Sequence, residues 1–205
     1  QRIEYLLTQE GVTYDVIDHQ LVVTGGIVSA EKAMILQAGT ISSDSSSVFI
    51  ATDLDAQTRN AMLLNTLVTT ITAVSTVSGN IAVNEADDLV IHRISANNGG
   101  VAVTAGGSIT AHRVETIQDG AANNVVLKSG KNISIGSLEA AVATGAQKTT
   151  ATVTVDAAGL ISELAGDSAA NEVDVFAYSI TLRDSTGAPA YVVINEPTDL
   201  GSATA

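Results

Sequence analysis

Aliphatic residues recur in this chain in a fixed register, and that recurrence restricts the fold more than any other feature. Ile81-Ala82-Val83 aligns with Val101-Ala102-Val103, and Leu89, Ile91 and Ile94 then fall on Ile109, Ala111 and Val114. In the next copy Val101, Val103, Ile109, Ala111 and Val114 meet Val125, Leu127, Ile133, Ile135 and Leu138. A looser and longer copy follows, setting Val125, Leu127 and Ile133 on Val153, Val155 and Ile161. The register survives because the additional residues gather in two stretches, Thr116 to Asn124 and Ala140 to Thr152. A stack of like units tolerates insertions at a corner, where a loop leaves the stacked strands undisturbed.

Within each unit the apolar residues alternate, Ile81 with Val83 and Leu89 with Ile91, while Ile94 marks a third short segment. A period of two belongs to strands with one buried face. Small residues punctuate the units at Ala105-Gly106-Gly107-Ser108, Ser129-Gly130-Lys131-Asn132 and Ala157-Ala158-Gly159, and Ala38-Gly39-Thr40-Ile41 is an earlier version. Glycine there supplies the positive φ that a tight corner needs. The expected fold is all-β: a right-handed parallel β-helix of about 20 or more residues per coil, with corner insertions. Parallel strands are predicted at 81–83, 89–91, 101–103, 109–111, 125–127 and 133–135, with Val83, Val103 and Leu127 stacked inside. Residues 1–20 form an N-terminal lead-in and 21–205 a single array. Ala51 to Leu64 reads as a short helix or equally as a loop.

A longer repeat overlies the short one. Val83-Asn84-Glu85-Ala86-Asp87-Asp88-Leu89 recurs several units later as Ile194-Asn195-Glu196-Pro197-Thr198-Asp199-Leu200, and the chain stops partway through that second copy. The chain therefore reads as a window from a longer array, and the coil at Tyr191 to Ala205 is expected to lack a cap and to join further copies end to end.

Composition agrees with a narrow aliphatic interior. Hydrophobic residues make up 45% of the chain but aromatics only 3%, and wide layered cores normally use aromatic rings. Nine basic residues against 22 acidic ones give a net charge of −13, which repels nucleic acid and anionic membranes. Cysteine is absent, and no apolar run is long enough to span a bilayer.

The phrases Ser78-Gly79-Asn80-Ile81-Ala82-Val83-Asn84-Glu85-Ala86-Asp87-Asp88-Leu89, Val103-Thr104-Ala105-Gly106-Gly107-Ser108-Ile109-Thr110 and Leu127-Lys128-Ser129-Gly130-Lys131-Asn132-Ile133 resemble the repeats of filamentous-haemagglutinin-type exoproteins and related giant adhesins. The resemblance covers residues 21 to 175. It implies a right-handed parallel β-helix, export across a Gram-negative envelope, and roles in adhesion, biofilm or extracellular fibres.

His92-Arg93 and His112-Arg113 occupy equivalent positions in consecutive units, so a parallel stack brings them together at one corner. Stacked imidazoles suit a metal and the arginines an anion, but two histidines without a third ligand make a poor zinc site, and the next coil carries Gly136-Ser137. A solvated polar ladder is the expectation, with no metal and no cofactor. Glu85, Asp87 and Asp88, with Glu196, Thr198 and Asp199, suggest paired carboxylates for calcium or acid–base work. Their partners in the next coil are Ala105, Gly107 and Ser108, so no acidic cluster is expected. Asn84 and the two aspartates are instead expected to close the corner through local Asx turns. Asp53, Asp55 and Asn60 lack the glycine and terminal glutamate of a calcium loop, and Asp167, Asp174 and Asp184 lack ligand spacing. The expected function is a non-catalytic structural or adhesive rod on a bacterial surface, partnered by copies of itself and by host or neighbouring-cell glycan or protein. A glycan-recognising module is the alternative, and a polysaccharide lyase or hydrolase is disfavoured.

Overall fold

The computed structural model describes residues 13–17, 19–144, 150–164, 175–184, 192–193 and 200–201. Among them there is no α-helix; the chain is a parallel β-solenoid whose successive turns stack in register. The first strand is the exception. β1 (Thr13–Ile17) runs antiparallel to β2 (Gln20–Thr24), with Thr13 opposite Thr24 and Ile17 opposite Gln20.

The turns then follow in order. β2 continues into β3 (Gly26–Ser29) and β4 (Ala33–Ala38). Next come β5 (Thr40–Ser43) with the long β6 (Ser47–Thr58), then β7 (Met62–Ser75), then β8 (Ile81–Glu85) with β9 (Leu89–Ala96). From there each turn breaks into three: β10 (Val101–Ala105), β11 (Ile109–Ala111) and β12 (Val114–Thr116), then β13 (Val125–Ser129), β14 (Ile133–Ile135) and β15 (Leu138–Glu139). Two further turns are β16 (Thr152–Ala157), β17 (Ile161–Glu163) and β18 (Val175–Phe176), and β19 (Ser179–Asp184), β20 (Val192–Val193) and β21 (Leu200–Gly201).

All six predicted strands are present and parallel. Val83, Val103 and Leu127 lie in one column, each at most 1% exposed. A neighbouring column runs Leu21, Ile41, Met62, Ile81, Val101, Val125 and Val153, and a third wall stacks Ile94, Val114, Leu138 and Val175. Each fully buried aliphatic side chain of this kind contributes about 1.5–3 kcal/mol.

Ala51 to Leu64 is neither helix nor loop, because most of it belongs to β6 and β7. Leu54, Ala56 and Thr58 point inward while Asp53, Asp55 and Gln57 point out, so a period of two is present. Small or polar inward residues disguise it. β6 pairs with β4 on one side and β7 on the other, and these ladders override the weak strand propensity of its aspartates.

The corner glycines also differ from expectation. Positive φ occurs at Gly25, Gly26, Gly79 and Gly99, not at Gly39, Gly106, Gly107, Gly130 or Gly159. Crowding demands those glycines instead. A Cβ on Gly106 would lie 2.3 Å from the Ala86 carbonyl oxygen, and one on Gly130 would lie 2.2 Å from that of Gly106.

The phrase at 194–199 lies outside the described residues. Leu200, at its end, pairs in register with Val175 on the third wall, whereas Leu89 pairs with Ile109 on the second.

Candidate functional site: the His–Arg corner

β9 bends round a corner at His92. Ile71 pairs with Ile91 and Thr72 with Arg93, so the register slips by one and both His92 and Arg93 face outward. One turn on, His112 and Arg113 fill the gap between β11 and β12, with the His112 N–H donating to the Ile91 carbonyl at 2.9 Å and Ile94 N–H to the Arg113 carbonyl at 3.0 Å. The imidazole rings stack with centroids 5.5 Å apart and planes tilted by 30°.

The arginines do not project into solvent as a free anion clamp. Arg93 donates to Glu115 Oε1 from Nε at 3.2 Å and Nη2 at 2.7 Å. Arg113 donates to Oε2 from Nε at 2.8 Å and Nη2 at 2.6 Å. Glu115 is 1% exposed while both guanidinium-bearing side chains are half exposed, so the arginines form a lid over a buried carboxylate. Burial pushes that carboxyl up, but hydrogen bonds from Arg93, Ser95 and Arg113, with the Arg113 charge, outweigh it and hold the group below the ordinary glutamate range.

Sequence reasoning does not single out Glu115. The available signal is an acid two positions after Arg113, between Ser95 and Glu139 in register. With both arginines committed to it, the corner has little remaining capacity for an anionic ligand. Among the described residues, no group of three or more His, Cys, Asp or Glu could hold a metal ion.

In the acidic corner the carboxylates face different ways. Glu85 faces inward and is 5% exposed; its Oε2 accepts from Val68 N–H at 3.1 Å and its Oε1 from Ala86 N–H at 2.8 Å. Burial raises its carboxyl above the usual range, against hydrogen bonds from Thr66, Val68, Ala86 and Asp87. Asp88 faces solvent. Its Oδ1 accepts the Ser108 N–H of the next turn at 2.6 Å, and Lys131 lies 3.4 Å away. Those contacts, with Ser108 first, lower its pKa.

The local Asx turns expected of Asn84, Asp87 and Asp88 are not formed among the described residues; the Asx side chains at these corners reach between turns instead. Asn80 Oδ1 accepts from Gly100 N–H at 2.8 Å, Asn124 Oδ1 from Thr152 N–H at 2.8 Å and Asn132 Oδ1 from Leu160 N–H at 2.9 Å. Asn84 donates to Asn65 Oδ1 at 3.0 Å, a side-chain rung rather than a turn of its own. These rungs place each corner on the one below, where a local turn would leave them independent.

Asp53 accepts the Thr70 hydroxyl, and Asn60 accepts from Ser78. Asp167, Asp174, Glu196, Thr198 and Asp199 lie outside the described residues, and Asp184 contributes its backbone to β19. A shallow cleft of about 250 Å³ opens between Ala51, Leu67, Val68, Thr69, Asp87 and Asp88.

Stacked parallel strands, aliphatic columns and corner rungs define the class: a parallel β-solenoid. No protein-family model, curated protein or solved structure matches the chain.

Proposed function

We propose that this chain is a non-catalytic rod segment of a secreted bacterial surface protein or extracellular fibre of the filamentous-haemagglutinin type. The observation that carries the reading is the unbroken stacking of inward aliphatics from Leu21 through Ile41, Met62, Ile81, Val101 and Val125 to Val153. Continuous ladders and a dry core suit a stiff spacer that presents its sides to a partner surface. The described polar groups support the same reading, because Glu85, Asp88 and Glu115 are used to fasten one turn to another.

Rods of this kind extend end to end. A terminal turn offers unpaired N–H and C=O groups, and a head-to-tail contact between such ends does not close. The acidic surface disfavours sideways clumping and leaves axial growth preferred.

Electron microscopy of the native particle tests the proposal, with rods or fibres expected. A compact particle that turns over acidic polysaccharide would overturn it. Saturable, mutation-sensitive binding on a glycan array, with no rod, would favour the recognition-module reading instead.

A further inference from the structure

The chain contains one asparagine followed by glycine, Asn98-Gly99, in the corner Asn97-Asn98-Gly99-Gly100 between β9 and β10. An asparagine side-chain carbonyl is open to attack by the backbone nitrogen of the following residue, and a side chain on that residue hinders the approach. Glycine removes the hindrance. Asn98 is exposed, and among the described residues the Gly99 N–H meets no hydrogen-bond acceptor. No hydrogen bond therefore competes for the nucleophile, although Gly99 itself is packed against Gly79.

The other corner residues of this kind are protected. Asn80 and Asn132 precede β-branched Ile81 and Ile133, whose N–H groups donate to the Gly100 and Leu160 carbonyls at 2.9 Å each. Their own side-chain oxygens accept backbone N–H groups of the next turn at 2.8 and 2.9 Å, where Asn98 Oδ1 accepts only the Asn123 side-chain amide at 3.3 Å. Asp119 also precedes a glycine, Gly120, but its Oδ1 accepts the Thr150 N–H, the Thr150 hydroxyl and the Ala151 N–H, at 3.2, 2.9 and 3.0 Å.

We propose that Asn98 is a site of spontaneous deamidation in the folded protein. The Gly99 nitrogen forms a bond to Asn98 Cγ and gives up its proton to solvent. The Cγ–Nδ2 bond breaks, and that nitrogen leaves as ammonia. Water then opens the resulting succinimide at either carbonyl, giving aspartate by one route and isoaspartate by the other. No oxidant or reductant takes part.

The isoaspartate route has a structural consequence. It lengthens the main chain between Asn98 and Gly99 in a crowded corner, where a Cβ on Gly99 would lie 2.3 Å from the Gly79 carbonyl oxygen. The Gly79 N–H donates to the Asn98 carbonyl at 2.7 Å, and Asn123 Nδ2 donates to Asn98 Oδ1 at 3.3 Å. Both contacts join neighbouring turns, so the modification loosens the stack at this level.

The test ages the folded full chain in warm, mildly alkaline buffer, beside Asn98→Gln and a urea-unfolded sample. Peptide mapping with fragmentation follows the amide-to-acid mass gain and assigns the linkage. Conversion is expected to concentrate at Asn98, to rise with pH and to include isoaspartate. The aged protein should melt below equally aged Asn98→Gln. If Asn98 keeps its amide in the folded chain while the unfolded sample converts, or if another asparagine converts faster in the folded chain, the proposal fails.

Discussion

β6 and β7 round their corners without stopping, whereas the strands from β10 to β15 break at every one. β6 covers Ser47–Thr58 and β7 covers Met62–Ser75, each serving more than one wall of the solenoid. In the later turns the same walls are built from β10, β11 and β12 or β13, β14 and β15, separated by glycine and Asx corners. The first corner is also broader in the first two turns, where more residues separate Ile41 from Leu54 than separate Ile81 from Ile91 in the same columns. β3 and the start of β6 form an additional pairing at the first corner, and Phe49 fills the space there. One column then passes from Val28 through Phe49 and Thr66 to Glu85, Ala105 and Ser129, so the inward corner turns from aromatic to polar and small as the coil narrows. The wide corner relies on Asp44, whose carboxyl is lowered to about 2, first by the Ser47 and then the Ser46 hydroxyl. Width is met by volume, and narrowness by glycine, while side-chain rungs join turns in both regions.

The largest effect that would sharpen this contrast is a charge in the narrow core. Val103→Asp is expected to cost more than about 4 kcal/mol, because it sets an unpaired carboxylate between Val83 and Leu127. Chemical denaturation should show it unfolded or barely folded. Leu54→Asp in the wide part should be similarly severe; if it is tolerated, the long strands are not the sealed core described above.

Removing both lid arginines comes next. Arg93→Ala with Arg113→Ala leaves Glu115 buried without a charge partner, with an expected loss of about 3–5 kcal/mol at neutral pH. The pH dependence has a defined sign. Glu115 is depressed in the folded state, so its contribution is present above the unfolded glutamate pKa and is lost as pH falls through the folded one. The gap between native protein and double variant should therefore narrow on acidification, by thermal melting at stepped pH. Glu85, which burial raises, works in the opposite direction, since the cost of burying its charge is relieved as pH falls.

Gly107→Ala is expected to lose about 1–3 kcal/mol, since the added Cβ would sit 2.1 Å from Asp88 Oδ1 and 2.6 Å from Asp88 N. Gly120→Ala, whose nearest neighbour would be Asn123 Nδ2 at 3.4 Å, should lose much less. Equal melting losses would contradict crowding as the reason for the corner glycines. Asn132→Ala removes one rung to Leu160 N–H and should cost about 0.5–1.5 kcal/mol. The smallest changes belong to outward residues: Thr110→Asp, and His92→Ala with His112→Ala, should each stay within about 0.5 kcal/mol. A transition metal that copurifies with the native protein and is lost from the histidine variant would show that the stacked pair does more.

The narrow turns were legible in the sequence because their corners repeat. Gly106-Gly107 and Gly130 mark where strands stop, and the aliphatics between them fall into register by counting. The wide turns hide the same alternation behind Ala51, Ala56 and Thr58, and carry aspartates on the outer face of β6. Residue type alone could not separate strand from helix or loop there. The stacking of His92 on His112 followed from the short repeat, but the role of Glu115 did not. Its burial depends on where two long side chains fold back, and no spacing rule reports that.

The sequence distance between stacked partners sets how this protein can form. Val83 and Val103 are separated by one short unit, while Leu138 and Val175 lie nearly twice as far apart along the chain because insertions precede β18. Loop-closure entropy grows only with the logarithm of length, about 0.6 kcal/mol for each doubling, so even the longest excursion adds little to the cost of laying down a turn. Each turn also contacts mainly its immediate neighbours, as in other arrays whose order spreads from one end of a seed. The most evenly spaced block, from Leu21 through Ile41, Met62 and Ile81 to Val101, is the natural seed. Growth from it would add turns one at a time, at a pace governed by local closure and nearly independent of total length.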